Sequence, residues 1–204
     1  MSERGLLVVV SGPSGVGKGT VMKELVRKND GIYLSVSATT REKREGEADG
    51  VNYHFMSEED FIKTREENGF IESACFCGNY YGTPKKEVFA RLDAGINVVL
   101  EIEVQGAMKV RSEYPEGVYI FMAPPSMSEL RSRLENRKTE SRDKVEERLK
   151  TAVWEMGVAR KYNYLVINDS VVAAAERISS IITAEALRME RNFEFIKKNI
   201  AEDR

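Results

Sequence analysis

The stretch SGPSGVGKGTV, residues 11–21, sets three glycines and a lysine at the spacing of a loop that wraps nucleotide phosphates. Gly12, Gly15 and Gly17 allow the backbone to turn its N–H groups inward, and Pro13, Ser14 and Val16 complete the loop. The helix that follows adds its positive dipole end, and Lys18 can bridge the outer phosphates of a nucleoside triphosphate. After the lysine comes Gly19, where the general pattern has Ser or Thr as a direct Mg²⁺ ligand, and the first hydroxyl is that of Thr20. A switch-type nucleotide hydrolase needs that ligand. A small-molecule kinase does not, because two phosphate-bearing substrates can hold Mg²⁺ with waters, here near Thr20 and Glu101. No G-x-G-x-x-G/A frame runs through these glycines, so a dinucleotide fingerprint fits poorly.

A second anion-binding candidate is TTREKREGEADGVNYHFM, residues 39–56. Taken alone, Arg41, Lys43 and Arg44 read as a solvated charge run balanced by Glu42, Glu45 and Glu47. Their spacing resembles the guanylate kinase signature, with Thr39, Thr40, Arg41, Arg44, Glu47, Gly50, Tyr53 and Phe55 at its fixed places. The resemblance extends along essentially the whole chain, through SVSATTR, FIESACFCGNYYGT, LEIEVQG, an arginine-rich stretch after APPS, and LVIND. It implies a transfer of the γ-phosphoryl group of ATP to GMP, giving ADP and GDP, with Mg²⁺ as cofactor. By the same likeness Arg41, Arg44, Tyr53 and Tyr81 grip the GMP phosphate, Ser37, Glu72 and Thr83 read the guanine, and Glu101 and Glu103 at the acidic strand end complete the GMP-binding set. Loop residues 12–20, with Arg133, Arg137 and Asn168, lie on the ATP side, and Lys18, Arg41, Arg137 and Arg148 supply charge to the transferring group. Glu103 replaces a common Asp and Lys138 replaces a common Gly, so both depart from the family pattern.

The chemistry suits these residue types. Planar arginine forks bind a phosphate dianion bidentately, and phenol donors complete its shell. One carboxylate can accept both N1–H and N2–H of guanine, whereas adenine would leave it unpaired. Three other readings compete. A non-catalytic scaffold module is disfavoured by the intact loop and Lys18. A kinase for another phosphate acceptor should lack Ser37, Glu72 and Thr83, and a GTPase is excluded because no N-K-x-D base reader is present.

These residues need elements to hold them. Apolar runs at Leu6–Val10, INVVLEI, EGVYIFM and YLVIN alternate with helical stretches, the pattern of a parallel sheet covered on both faces. Helices are expected at about 84–94, 104–112, 126–136, 143–160 and, as one long element, 171–198, with a further helix opened by the N-cap Ser57. VNYHFM alternates as a strand. With the resemblance, the expected α/β architecture is a P-loop NTPase three-layer sandwich forming a single guanylate kinase-like domain. Its core covers about 1–35, 84–125 and 154–204, an inserted antiparallel GMP-binding lobe about 36–83, and a helical lid about 126–153.

A chain of 204 residues with 42% hydrophobic and 31% charged residues can build such a core. The net charge of -2 gives no bulk attraction for nucleic acid or an anionic membrane. Cys75 and Cys77 are too close in sequence to staple a fold and form no zinc motif. The cysteine usage fits a reducing, cytoplasmic setting, and the N-terminal apolar run, too short for a signal or a span, reads as a buried strand. ATP and GMP are the expected partners, with dGMP a further acceptor to consider. His54, Cys75, Cys77 and Trp154 carry no chemistry in this reading.

Overall fold

The computed structural model describes residues 4–76, 78–136 and 141–202. In chain order the elements are β1 (Leu7–Ser11), α1 (Lys18–Lys28), β2 (Ile32–Leu34), β3 (Ala38–Thr39), β4 (His54–Phe55), α2 (Glu58–Glu66), β5 (Phe70–Phe76) and β6 (Asn79–Pro84). Next come α3 (Lys85–Asp93), β7 (Asn97–Glu101), α4 (Val104–Glu113), β8 (Val118–Ala123) and α5 (Met127–Glu135). The chain ends with α6 (Arg142–Val158), a short 3-10 turn (Ala159–Lys161), β9 (Tyr164–Ile167), α7 (Val171–Ala186) and α8 (Met189–Glu202).

The core sheet has the order β2-β7-β1-β8-β9, and every pairing in it is parallel. All five residues of β1 are buried because the strand is central and both faces are covered. Alternation divides them. Val8 and Val10 pack with Val21, Met22 and Leu25 of α1 and Ala174, Ile178 and Ile182 of α7. Leu7 and Val9 pack with Val88 and Leu92 of α3 and Ala107 and Val110 of α4. This is the expected three-layer arrangement. Because the strands are parallel, Ser11, Glu101, Ala123 and Asn168 all come to one edge of the sheet, where open α/β sheets hold ligands.

The inserted sheet has the order β4-β3-β6-β5. It is antiparallel except for β3 and β4, which pair in parallel through Ala38 with His54 and Thr39 with Phe55. The strand expected over 51–56 shrinks to His54–Phe55. Local polar groups compete with pairing: Asp49 accepts the Phe55 N–H at 2.8 Å, Asn52 accepts the Ala48 N–H at 2.8 Å, and Gly50 turns with φ 70°. Ser57 caps α2 as expected, accepting the Asp60 N–H at 3.0 Å.

The single C-terminal helix expected over 171–198 is instead two, broken at 187–188. No Gly or Pro marks the break. The Asn192 side chain donates to the carbonyls of Ala186 and Arg188, both at 2.9 Å, so the end of α7 is satisfied without continuing the helix. Among the described residues no helix is long and apolar enough to cross a membrane. Trp154, expected to be structural, is exposed on α6, and Cys77 lies outside the described residues.

Candidate active site

The loop between β1 and α1 is built as a cradle. Gly15 and Gly17 have φ of 87° and 96°, a left-handed backbone that glycine adopts without strain. Gly12, at φ 156°, also serves closeness, since a Cβ there would lie 2.1 Å from the Met122 carbonyl oxygen on β8. Lys18 is buried and folds back over the loop, its ammonium donating to the Gly12 carbonyl at 2.6 Å and reaching that of Pro13 at 3.5 Å. Ser14 and Gly19 are partly accessible and Thr20 is exposed at the helix start. The Val16 carbonyl takes two donors, Asn168 Nδ2 at 2.7 Å and an Arg133 guanidinium nitrogen at 3.1 Å. Arg133 also donates to the Asn168 carbonyl at 3.1 Å and pairs with Glu129 at 2.9 Å. Two residues expected beside an adenine therefore clamp the loop itself, a role that spacing alone does not signal.

Across the sheet edge Glu101 ends β7 and faces Gly19, whose added Cβ would lie 3.6 Å and 3.7 Å from the two carboxylate oxygens. Burial pushes the Glu101 carboxyl up, with Lys18 opposing and Glu103 adding to the rise. Glu103 is exposed at the N-cap of α4. The sequence reading missed a third carboxylate, Glu155, which is buried on α6 within the field of Glu103 and Lys18. A signal for it existed, because it continues the apolar stripe Val145, Leu149, Ala152 on that helix. Burial pushes Glu155 up to about 7, Glu103 adds to the rise and Lys18 opposes it. The Tyr162 hydroxyl meets the buried Ser11 and feels the charges of Glu155 and Glu103.

Glu155 makes stability depend on pH in a stated direction. An unfolded glutamate releases its proton near pH 4.3, whereas the folded one keeps it to about 7. The folded state thus holds more protons across that window, and stability falls as pH rises through it. After allowance for solvent screening the loss is about 2 kcal/mol. Urea melts from pH 4.5 to 8 should show wild type losing that much relative to Glu155→Gln. A difference between the two proteins that stays constant with pH would contradict it.

In the inserted sheet the pairing of β5 with β6 slips between Phe70–Pro84 and Ser73–Gly82. Three steps on β5 match two on β6, so this β-bulge sets Ile71 and Glu72 together opposite Thr83. Ile71 joins the core cluster and Glu72 meets the Thr83 hydroxyl, which donates to Glu72 Oε1 at 2.8 Å. Burial raises the Glu72 carboxyl, against the Thr83 hydrogen bonds and the charge of Lys109. Arg41 donates to Glu47 at 2.8 Å and lies over the rings of Tyr53 and Phe55 at 5.4 Å and 5.8 Å. Glu47 also accepts the Arg44 N–H at 2.9 Å, so one carboxylate shapes the whole basic loop. Tyr53 and Tyr81 meet edge to face at 6.0 Å, and Tyr53 feels the charges of Arg41 and Glu101. Ser37 is half-buried just before β3, and the Arg44 side chain is exposed at the rim.

α5 and α6 form a helical hairpin with its own core of Leu130, Leu134, Val145, Leu149 and Ala152. Leu134 also closes over the cradle, 2.7 Å from where a Gly15 Cβ would stand. Arg131 pairs with Glu146 on the outer side of the hairpin. Arg148 is half-buried on α6, two helical turns before Glu155. Arg137 and Lys138 lie outside the described residues.

Comparison with known proteins agrees with this geometry. The guanylate kinase family model matches residues 4–185. The guanylate kinase of Caldanaerobacter subterraneus subsp. tengcongensis is 52% identical over 192 residues, 94% of this chain and 93% of that protein. That of Clostridium acetobutylicum is 50% identical over 100% of this chain and 95% of its own length. The crystal structure of guanylate kinase from Anaplasma phagocytophilum superposes with a TM-score of 0.76 at 36% identity, covering 93% of this chain and 90% of that one. A cradle on the parallel sheet, a bulged carboxylate in the inserted one and a match running through both leave one assignment: this chain belongs to the guanylate kinase family.

Proposed function

We propose that this protein transfers the γ-phosphoryl group of ATP to GMP, releasing ADP and GDP. The observation that carries the acceptor assignment is the β-bulge that sets the Glu72 carboxylate against the hydroxyl of the buried Thr83. A carboxylate held there can accept guanine N1–H and N2–H together while Thr83 keeps its hydrogen bond to Oε1, and the Ser37 hydroxyl can donate to O6. Arg41, Arg44, Tyr53 and Tyr81 bind the GMP phosphate, and Glu47 keeps Arg41 aimed across the Tyr53 ring. A phosphate oxygen of GMP is nucleophilic enough to attack the γ-phosphorus in line as the bond to the β-phosphate oxygen breaks, so no side-chain nucleophile is required.

On the donor side the loop amides of 12–20 receive the ATP phosphates. Lys18 exchanges the carbonyls of Gly12 and Pro13 for phosphate oxygens, bringing a buried cation to the charge that develops. Asn168 and Arg133 fix the Val16 carbonyl and with it the loop, and they border the adenine. Arg137 and Arg148 add positive charge as the lid closes, and closure keeps water from the γ-phosphate. The residues present fit Mg²⁺: the Glu101 carboxylate, a hard oxygen donor, faces the side-chain-free Gly19, leaving space for an ion held through waters beside Thr20. When bound, Mg²⁺ neutralises phosphate charge. Glu103 borders the same edge, and dGMP fits the same base-reading set.

ADP formation measured with GMP, dGMP, AMP, CMP and UMP in parallel tests the assignment. GMP should exceed AMP by about 10⁴-fold in kcat/KM. Equal rates with GMP and AMP would overturn the guanine reading.

A further inference from the structure

Gly106 is buried in the first turn of α4, with its main chain against the carboxylate of Glu72. A Cβ at this position would lie 3.1 Å from Glu72 Oε2, 3.6 Å from its Cδ and 3.7 Å from Ile102 Cδ1. The first distance is too short for comfort, so a methyl group would displace that oxygen by a few tenths of an ångström. The other oxygen, Oε1, is held by the Thr83 hydroxyl at 2.8 Å. The carboxylate is therefore fixed between a donor on one side and bare main chain on the other.

Nothing in the helix itself calls for glycine here. Gly106 is not among the glycines with positive φ, so its backbone suits any residue. Glycine inside a helix costs about 1 kcal/mol relative to alanine. What the missing side chain provides is room beside Glu72.

Building on the assignment of Glu72 to the guanine, we infer that Gly106 is a specificity-determining position. Its bare Cα lets the carboxylate of Glu72 settle where both oxygens reach N1–H and N2–H of the acceptor base. Hydrogen bonds to a charged acceptor weaken quickly with misplacement. Crowding from a side chain at 106 also removes space for water near the carboxylate and favours its protonated form, which donates instead of accepting.

The test is Gly106→Ala with Glu72→Gln beside it, each assayed with GMP and AMP across pH and each melted thermally. Gly106→Ala should raise KM for GMP about tenfold, equivalent to about 1.4 kcal/mol, with KM for ATP unmoved. The GMP-over-AMP ratio should fall by the same factor, and the acid limb of kcat/KM for GMP should move to higher pH. Melting temperature should hold or rise, because alanine favours the helix. Should it drop, Gly106→Ala/Ile102→Val separates core crowding from carboxylate crowding. Stability regained without GMP affinity supports the inference, and both regained together overturn it. An unchanged Gly106→Ala beside a damaged Glu72→Gln defeats the Gly106 inference alone. An unchanged ratio in Glu72→Gln defeats the base assignment, and the inference with it.

Discussion

Replacing Lys18 by Ala should lower kcat by about 10³-fold or more, roughly 4 kcal/mol of transition-state stabilisation, while the Kd for GMP stays within about twofold of wild type. The expectation follows from where this cation sits. It is buried at the sheet edge, among the described residues it donates to the loop carbonyls of Gly12 and Pro13, and its charge acts on Glu101 and Glu155. The arginines and tyrosines proposed for the GMP phosphate, and Glu72 and Thr83 proposed for the base, lie on the inserted sheet and its loops, so in that proposal acceptor binding does not need Lys18. The loop should keep its shape in the variant, because the Val16 carbonyl remains clamped by Asn168 and Arg133. Lys18→Arg should rescue little, since a planar fork does not replace a compact ammonium inside a loop this tight. Calorimetric titration with GMP alone, paired with steady-state rates, checks both halves. Loss of GMP binding in Lys18→Ala would show that donor and acceptor sites had been confused.

The parts of this protein that could be read from its sequence are those fixed by short-range rules. A short β-branched run such as Leu6–Val10, ended by a glycine loop, reads as a doubly covered strand, and the glycine spacing after it leaves few shapes for the loop. What stayed hidden depends on partners distant in the chain. Gly12 looks like a turn glycine, yet it answers to the Met122 carbonyl on a strand more than a hundred residues away. The Val16 clamp joins residues from α5, the end of β9 and the loop. The bulge that aims Glu72 has no Gly or Pro of its own in the bulged segment, because it arises from Ile71 entering the core while Glu72 meets Thr83. The break at 187–188 is made by a side chain four and six residues beyond the carbonyls it caps. Composition and periodicity carry no trace of such long-range or side-chain events.

That bulge leads to the second large effect. Glu72→Gln should lower kcat/KM for GMP by about 10³-fold, most of the discrimination that a buried polar reader can supply. The substitution keeps size and retains a carbonyl oxygen able to accept from Thr83, so the melting temperature should change little. It replaces one acceptor by an N–H₂ donor pointing at a base edge that itself offers donors, leaving buried groups unmatched. Adenine presents a lone pair at N1, to which the new amide can donate, so activity with AMP should hold or rise and the GMP-over-AMP ratio should collapse. The wild-type pH profile gives an independent check. Burial raises the Glu72 carboxyl, and only its ionised form accepts both guanine hydrogen bonds. GMP binding should therefore weaken as pH falls toward that raised value, and this acid limb should vanish in Glu72→Gln. An identical acid limb in both proteins would mean that another group, on the nucleotide or on the loop around Arg41, sets the pH dependence and that Glu72 does not read the base.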